Sequence, residues 1–245
     1  ELFGLTIRWY SISYILGFTY FYFFSLNNLK KFSLDKKKLE DLFFYLFISV
    51  IIGGRLGYVI FYNLNFYFQN PLEIFKIWQG GMSFHGALIG IILTTIAFSI
   101  KKNISIFQLS DLLSITAPVG IFLGRISNFL NKELIGKPTE FFFSVRYPNE
   151  AIYRHISQIY EAIFEGLIPA IILLVFYYKL KLNDGFITSI FLINYGFSRF
   201  IIENFREPDI QVGLKFGLLS LGQILSIPIV ILGFYFLYLC QYKKR

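Results

Sequence analysis

Seven apolar stretches, each long enough to cross a lipid bilayer, take up most of this chain and leave no room for a separate soluble domain. A spanning helix needs about 20 mainly apolar residues. Stretches of that kind lie at roughly 9–28, 42–63, 83–100, 107–129, 159–178, 186–204 and 218–239. Composition agrees: the chain is 56% hydrophobic and 16% charged, against about 25% charged residues in soluble domains. The expected fold is an all-α integral membrane protein of seven transmembrane helices, with residues 1–245 forming a single transmembrane domain.

The net charge of +8 raises the question of an acidic partner, which its distribution answers. Lys30, Lys31, Lys36, Lys37 and Lys38 follow the first stretch, Lys101 and Lys102 the third, Lys179 and Lys181 the fifth, and Lys243, Lys244 and Arg245 the seventh. These connections hold 12 of the 23 basic residues. Short cytoplasmic loops carry the Lys/Arg excess, so the N-terminus is expected outside and the C-terminus in the cytoplasm. A nucleic-acid binder would instead gather its charge on one solvated face, so no nucleic-acid partner is expected. The hydrophilic connection 131–157 becomes a small external head between helices 4 and 5.

Cys240 is the one cysteine, so the chain cannot build a disulfide, a cysteine cluster or a Cys/His nucleophile. Any thiol chemistry must take its thiol from a partner. Glu1–Arg8 is too short for a cleavable signal peptide, and the sequence does not begin with Met.

Ionisable side chains are costly in hydrocarbon and point to function when they persist there. Arg55 lies past the midpoint of the second stretch and His85 at the outer end of the third. Arg125 and Asn128 fall in the last turns of the fourth, with Asn131 and Glu133 just beyond. Arg199, Glu203 and Arg206 close the sixth, at a spacing that puts them on one helical face. Every charge read this way falls on the outward half. The pairs Gly53/Gly57, Gly86/Gly90 and Gly120/Gly124 flank these residues and would let helices approach closely. His155 enters the fifth stretch as a structural residue, where Ser157 would cap the helix and Glu161 could pair with an arginine. Arg199 with Glu203 reads equally as a structural ion pair.

Arginines recognise phosphate through bidentate, charge-assisted hydrogen bonds, and in a membrane the obvious phosphate is a lipid head group. The residues by themselves therefore describe an enzyme or a carrier acting on an anionic phospholipid from the outer face. A transporter would use the same charges but would be favoured by inverted repeats, and no convincing internal repeat is present. A receptor-like protein would not need charged residues converging from four helices.

Six motifs stand in order along the chain. They are Gly53-Gly-Arg-Leu-Gly-Tyr58, Gly80-Gly-Met-Ser-Phe-His-Gly86, Gly124-Arg-Ile-Ser-Asn-Phe-Leu-Asn-Lys-Glu-Leu-Ile-Gly136, Arg154-His-Ile-Ser-Gln-Ile-Tyr-Glu161, Arg199-Phe-Ile-Ile-Glu-Asn-Phe-Arg-Glu-Pro-Asp209 and Leu219-Ser-Leu-Gly-Gln-Ile-Leu-Ser226. Together they closely resemble the bacterial phosphatidylglycerol:prolipoprotein diacylglyceryl transferases over essentially the whole chain, and Arg8-Trp-Tyr10 with Tyr14 resembles that family's opening helix. Ile156, where the family usually has Pro, and Leu221, where it often has Met, are the departures.

The resemblance implies a multi-pass enzyme of the bacterial cytoplasmic (inner) membrane, with its site toward the outer leaflet. It would move the diacylglyceryl group of phosphatidylglycerol onto the lipobox cysteine of a prolipoprotein signal peptide, leaving a thioether and releasing glycerol 1-phosphate. No cofactor, metal or nucleotide is implied, and a monomer among membrane lipids is expected. His85 is the candidate base for the incoming thiol, because imidazole accepts a proton near neutrality and a guanidinium does not. Arg125 and Arg199 would hold the phosphodiester and stabilise the leaving phosphate. Arg55 and Arg206 would add to that anion site. Asn128, Glu133, Gly136 and Glu203 would orient the head group or the arginines, and Tyr14 and Tyr195 would line the cleft.

The orientation is testable on its own. A reporter fused after Arg245 is expected in the cytoplasm and one inserted in 131–157 outside. Labelling of the Lys30–Lys38 connection by an impermeant reagent in intact cells would reverse the assignment.

Overall fold

The protein is described by a computed structural model covering residues 9–148, 150–207, 214–215 and 219–242. Arg8 of the opening motif, Pro208 and Asp209 of the fifth motif, and Lys243, Lys244 and Arg245 of the basic tail lie outside the described residues. Nine α-helices occur among the described residues: α1 Trp9–Asn27, α2 Lys36–Tyr62, α3 Leu64–Gln69, α4 Phe84–Lys102, α5 Ile106–Leu130, α6 Ser157–Glu161, α7 Ile168–Lys179, α8 Phe186–Ile202 and α9 Leu221–Tyr242. A π-helical stretch, Ala162–Leu167, makes α6 and α7 one continuous helical run. The only strands among the described residues are two antiparallel pairs, β1 Ser144–Val145 with β2 Arg154–His155, and β3 Leu214–Lys215 with β4 Leu219–Ser220.

Six of these helical runs are long and apolar enough to cross a membrane: α2, α4, α5, the run from α6 through α7, α8 with its 3-10 extension to Phe205, and α9. Helices suit that solvent because they satisfy every interior backbone group within the segment. The first expected span is helical too, as α1, but it is not among the six. Apolar side chains such as Ile15, Leu93, Ile100 and Ile231 are more than 60% exposed, a surface that water would penalise and acyl chains would not.

The chain divides into two compact units, one of residues 25–110 and one of residues 1–24 with 111–245. In the first, α2 starts at Asp35, whose carboxylate accepts from the Lys38 amide at 2.7 Å and caps the helix. It packs against α4 through the expected glycines. A Cβ on Gly53 would stand 2.5 Å from the Gly86 carbonyl oxygen, one on Gly57 2.6 Å from Gly86 Cα, and one on Gly90 2.6 Å from the Ser49 carbonyl oxygen. At the far end of the pair Lys102 meets Asp41 at 2.7 Å, over a core of Leu39, Leu42, Leu46 and Phe98.

In the second unit, Ser13 of α1 bonds to the Leu123 carbonyl at 2.9 Å and to Ser127 at 2.6 Å on α5. Helices α8 and α9 interlock where Gly196 faces Val230 and Gly233 faces Ile193. Ser220 and Gln223 form a reciprocal cap at the start of α9: the Ser220 amide donates to Gln223 at 3.0 Å, and the Gln223 amide donates to the Ser220 hydroxyl at 3.2 Å. The Gln223 side chain also reaches Asn204 beyond α8, which gives the Leu219–Ser226 motif an architectural role.

Two sequence expectations need refinement. Among the described residues a Cβ on Gly120 or Gly124 would meet no atom within 4 Å, although α1 approaches the first of them, where a Cβ on Gly17 would stand 3.5 Å from Gly120 Cα. Charge is also not confined to one end of the helices. Asp111, near the opposite end of α5 from Arg125, is buried and accepts from the Gly185 amide, the Thr188 amide and the Thr188 hydroxyl at 2.6–2.7 Å. It supplies from a neighbouring helix the cap that Gly185 cannot give α8.

Gly86→Ala is expected to lower the stability of the detergent-solubilised protein by about 3 kcal/mol, the upper range for overpacking, because its methyl would lie 2.2 Å from the Gly53 carbonyl oxygen. Gly120→Ala should instead be neutral or stabilising by up to about 1 kcal/mol, from helix propensity. Thermal unfolding of the two variants makes the comparison; equal losses would show that the α2–α4 crossing is not tight.

Candidate active site

The most constrained cluster in the protein grows from two glutamates on an otherwise apolar run. Glu161 ends α6 and Glu165 lies in the π-helical stretch; both have no exposed surface. Gly166 brings this stretch against α5, where a Cβ would stand 2.7 Å from Phe122 Cα. Arg125, three residues further along α5, then reaches both carboxylates, Glu161 at 3.3 Å and Glu165 at 3.0 Å. From α8, Arg199 pairs with Glu161 and with Glu203 and stands 3.6 Å from Glu165. Two guanidiniums and two carboxylates therefore close a ring, each cation touching both anions. The arginine side chains keep 17% and 13% of their surface exposed while the glutamates keep none, so what remains accessible of these four side chains belongs to the arginines. Tyr195, one turn before Arg199, shares the surroundings of both arginines and stacks on Phe191 at 5.9 Å between ring centres.

The face proposed for Arg199, Glu203 and Arg206 holds for its first two members, a helical pair four residues apart. The α-helix stops at Ile202, a 3-10 turn covers Glu203–Phe205, and Arg206 is extended at φ −91, ψ 143. Arg206 still points back to Glu161, at 3.6 Å. Gly222 of α9 makes room for Glu203, since a Cβ there would lie 2.7 Å from its carboxyl carbon.

A second polar chain runs beside the ring. Asn128, buried on α5, donates to the Tyr10 hydroxyl, and Tyr10 donates to Glu133. Lys132 and Leu134 flank Glu133 with φ of +57 and +56, and this left-handed bend turns the chain out of α5 and starts the head. The head is tied down at its base. Gln158 donates to the Glu133 carbonyl at 2.7 Å, Ser157 to the Leu134 carbonyl at 3.2 Å, and the Lys137 amide to the Phe205 carbonyl at 2.9 Å. Ser157 thus holds the head and does not cap α6, which takes no side-chain cap. Gly136 bridges Arg206, and a Cβ on it would fall 2.1 Å from the His155 carbonyl oxygen. Its lack of a side chain is what lets these strands cross.

His155, read from the sequence as structural, sits in a ring-lined setting. It packs among Phe205, Tyr160 and Phe141 at ring distances of 5.1–6.3 Å, and burial, then the Lys137 charge, push its imidazole below the usual pKa. Arg154 beside it pairs with Glu150 at 2.6 Å and Glu207 at 3.1 Å.

Arg55 and His85 belong to the unit of residues 25–110. Arg55 is buried, and among the described residues its donors go to carbonyl oxygens: Ile74 at 2.8 Å, Gly80 at 2.6 Å, Gly81 at 3.1 Å and Glu73 at 2.7 Å. Its plane also lies 5.2 Å from the Tyr67 ring. It organises the 71–81 loop, and positive φ at Gly80 and Gly81 shapes the backbone whose carbonyls it holds. His85 is exposed in the first turn of α4, which Ser83 caps at Gly86. Among the described residues its ring contact is Phe84 at 5.7 Å. Tyr14 is 56% exposed on α1, so within α1 it is Tyr10, not Tyr14, that is bonded into the polar chain.

Sequence comparison places this cluster in a known setting. A sequence model of the family described as prolipoprotein diacylglyceryl transferase matches residues 1–239. The chain belongs to that family. It is 45% identical to the phosphatidylglycerol–prolipoprotein diacylglyceryl transferase of Ehrlichia canis (strain Jake), with 98% of this chain and 94% of the relative covered. Against the Rickettsia typhi (strain Wilmington) relative of the same name identity is 46%, with the same coverage. Against that of Ehrlichia ruminantium (strain Welgevonden) it is 47%, with 94% and 90% covered.

Glu165, Tyr10, Gln158 and Asp111 were not singled out from sequence as site or anchoring residues. Glu161 and Glu165 did carry a signal, two acids four apart in an apolar run. Gln158 and Tyr10 lie inside quoted motifs, but nothing local to either residue marks it as an anchor.

Gly136→Ala is expected to free the base of the head. Limited proteolysis should then cut within 131–157 at least about tenfold faster, equivalent to about 1.4 kcal/mol of local opening. An unchanged cleavage rate would show that the Gly136–His155 crossing is not what anchors the head.

Proposed function

We propose that this chain transfers the diacylglyceryl group of phosphatidylglycerol to the lipobox cysteine thiol of prolipoproteins, forming a thioether and releasing glycerol 1-phosphate. The observation that carries this reading is the Arg125–Arg199 pair, held by shared buried glutamates, in a member of the diacylglyceryl transferase family. The names of the relatives supply the substrates. In this reading residues 1–245 act as one transmembrane domain of seven spans, N-terminus outside and C-terminus in the cytoplasm. It is a monomer of the bacterial inner membrane whose site opens to the outer leaflet.

The phosphodiester lies across the exposed edges of Arg125 and Arg199. Thiolate attack on the glyceryl carbon breaks its bond to the phosphate oxygen, and the departing phosphate gains charge. Fixed guanidiniums therefore stabilise the transition state more than the bound lipid. Their positions are set in advance, because Glu161, Glu165 and Glu203 orient them before lipid arrives. His85 accepts the thiol proton. Asn128 and Glu133, joined through Tyr10, with Gly136, Tyr195 and Arg206, shape the head-group side. Tyr14 meets lipid, and Arg55 acts by holding the 71–81 loop.

The test is to incubate the purified protein with phosphatidylglycerol and a lipobox peptide and weigh the peptide. A gain of one diacylglyceryl group is expected; an unmodified peptide in the presence of active lipid and folded enzyme refutes the reaction. Arg125→Lys and Arg199→Lys keep the charge but lose the planar fork, and should lose most activity while Lys132→Arg loses little. His85→Gln should slow turnover by about 10²–10⁴-fold at pH 7, with recovery at high pH where the thiol ionises unaided.

A further inference from the structure

Among the described residues, the charges paired at the arginines cancel. Arg125, Arg199 and Arg206 face Glu161, Glu165 and Glu203, three cations against three anions in direct ion-pair contact. The other titratable groups described near them are Tyr195 of α8 and Tyr10 of α1, both neutral when protonated, and Glu133, which Tyr10 bonds and which adds no cation; α9 meets Glu203 with Gly222. A phosphodiester entering such a cluster adds one negative charge to a buried region that has no excess cation, and an uncompensated buried charge is costly. We propose that lipid binding at this pair is coupled to the uptake of one proton by Glu165, an inference that rests on the head-group reading given above.

The geometry selects Glu165. Glu161 is reached by three arginines, Arg125, Arg199 and Arg206, and Glu165 by two; Glu203 is reached by Arg199 alone, but in direct contact and with part of its side chain exposed. One oxygen of Glu165 accepts from Arg125 at 3.0 Å. The other, Oε1, is buried and takes no hydrogen bond among the described residues, as is true of Glu161 Oε2 and Glu203 Oε2, but its arginine stands farthest off, Arg199 at 3.6 Å against 3.3 Å from Arg125 to Glu161 Oε2 and direct contact at Glu203 Oε2. A proton added at Oε1 neutralises the carboxyl and weakens both of its ion pairs, while Oε2 stays a hydrogen-bond acceptor for Arg125. It also releases Arg199 from one of its carboxylates, which frees donors for phosphate. The phosphodiester itself stays ionised across the working pH range, so the proton comes from solvent and resides on the protein. Protonated Glu165 leaves the occupied cluster neutral overall.

The probe is dihexanoylphosphatidylglycerol, titrated calorimetrically into the detergent-solubilised full chain in two buffers of equal pH and different ionisation heat. The wild type is expected to take up about one proton per lipid near pH 8, with affinity falling by up to tenfold per pH unit as pH rises, which is the linkage sign for proton uptake. Glu165→Gln keeps the shape and an oxygen for Arg125; its uptake should fall to near zero and its affinity become flat with pH. His85→Gln should retain the uptake, which separates this proton from the thiol's. Wild-type protein that binds and transfers without proton uptake, or a Glu165→Gln variant with undiminished uptake, overturns the coupling and leaves the proposed reaction standing. Folded wild-type protein that binds no lipid, or whose lipid binding is indifferent to Arg125→Ala, overturns the head-group reading and the coupling together.

Discussion

Two carboxylates without exposed surface, Glu161 and Glu165, lie on a helical run whose other side chains suit hydrocarbon. Taking charge out of water is tolerable only when opposite charge meets it at short range and in good geometry. That requirement ties α5 and α8 to the π-helical stretch, since Arg125 comes from one and Arg199 from the other. It also accounts for Gly166, which lets the stretch close on Phe122, and for the break after Ile202, which turns Arg206 back toward Glu161. Removing either carboxylate would leave Arg125 and Arg199 sharing fewer anions in a buried setting, so the members of the cluster are energetically coupled. The π-helical turn at this place fits the tendency of such turns to occur at functional sites.

The protein buries guanidinium groups in two different ways. Arg125 and Arg199 are balanced by carboxylates and keep part of their side chains exposed. Arg55 is balanced by carbonyl dipoles and tyrosine faces, with its donors committed to the 71–81 backbone. A dipole cage can fold a loop around a cation, but it leaves no donor to offer a ligand. Residue type alone would give these three arginines one environment; hydrogen-bond partners give them two.

Much of the architecture is legible in the sequence because membrane solvent imposes simple rules. Apolar runs of about 20 residues predict the helices, and the six spans of the structure fall on six of the seven expected stretches. The Gly53/Gly57 and Gly86/Gly90 pairs predict a close crossing, which α2 and α4 make. The same pattern at Gly120/Gly124 leaves room for an added Cβ at both positions among the described residues, because a small residue permits approach without requiring it. The site was legible as a set of arginines and amides, but not as a balanced ring. Glu161 was read only as a partner for some arginine, and Glu165 not at all.

What the sequence determined by itself was the solvent this chain folds in, the places of its helices, and, through collinear motifs, its family. These depend on local hydrophobicity and residue order, which need no knowledge of what lies across the fold. Only the tertiary structure decided that Arg125 and Arg199 share both glutamates, that Arg55 serves a loop, that Asp111 caps a helix other than its own, and that Gly136 is needed where His155 crosses. Each of these turns on which atoms lie within about 3–4 Å of one another, and on whether a donor is already taken. Residues 40 or more positions apart, such as Arg125 with Glu165 and Asp111 with Thr188, meet only because packing has set the helices, and sequence spacing carries no record of that distance.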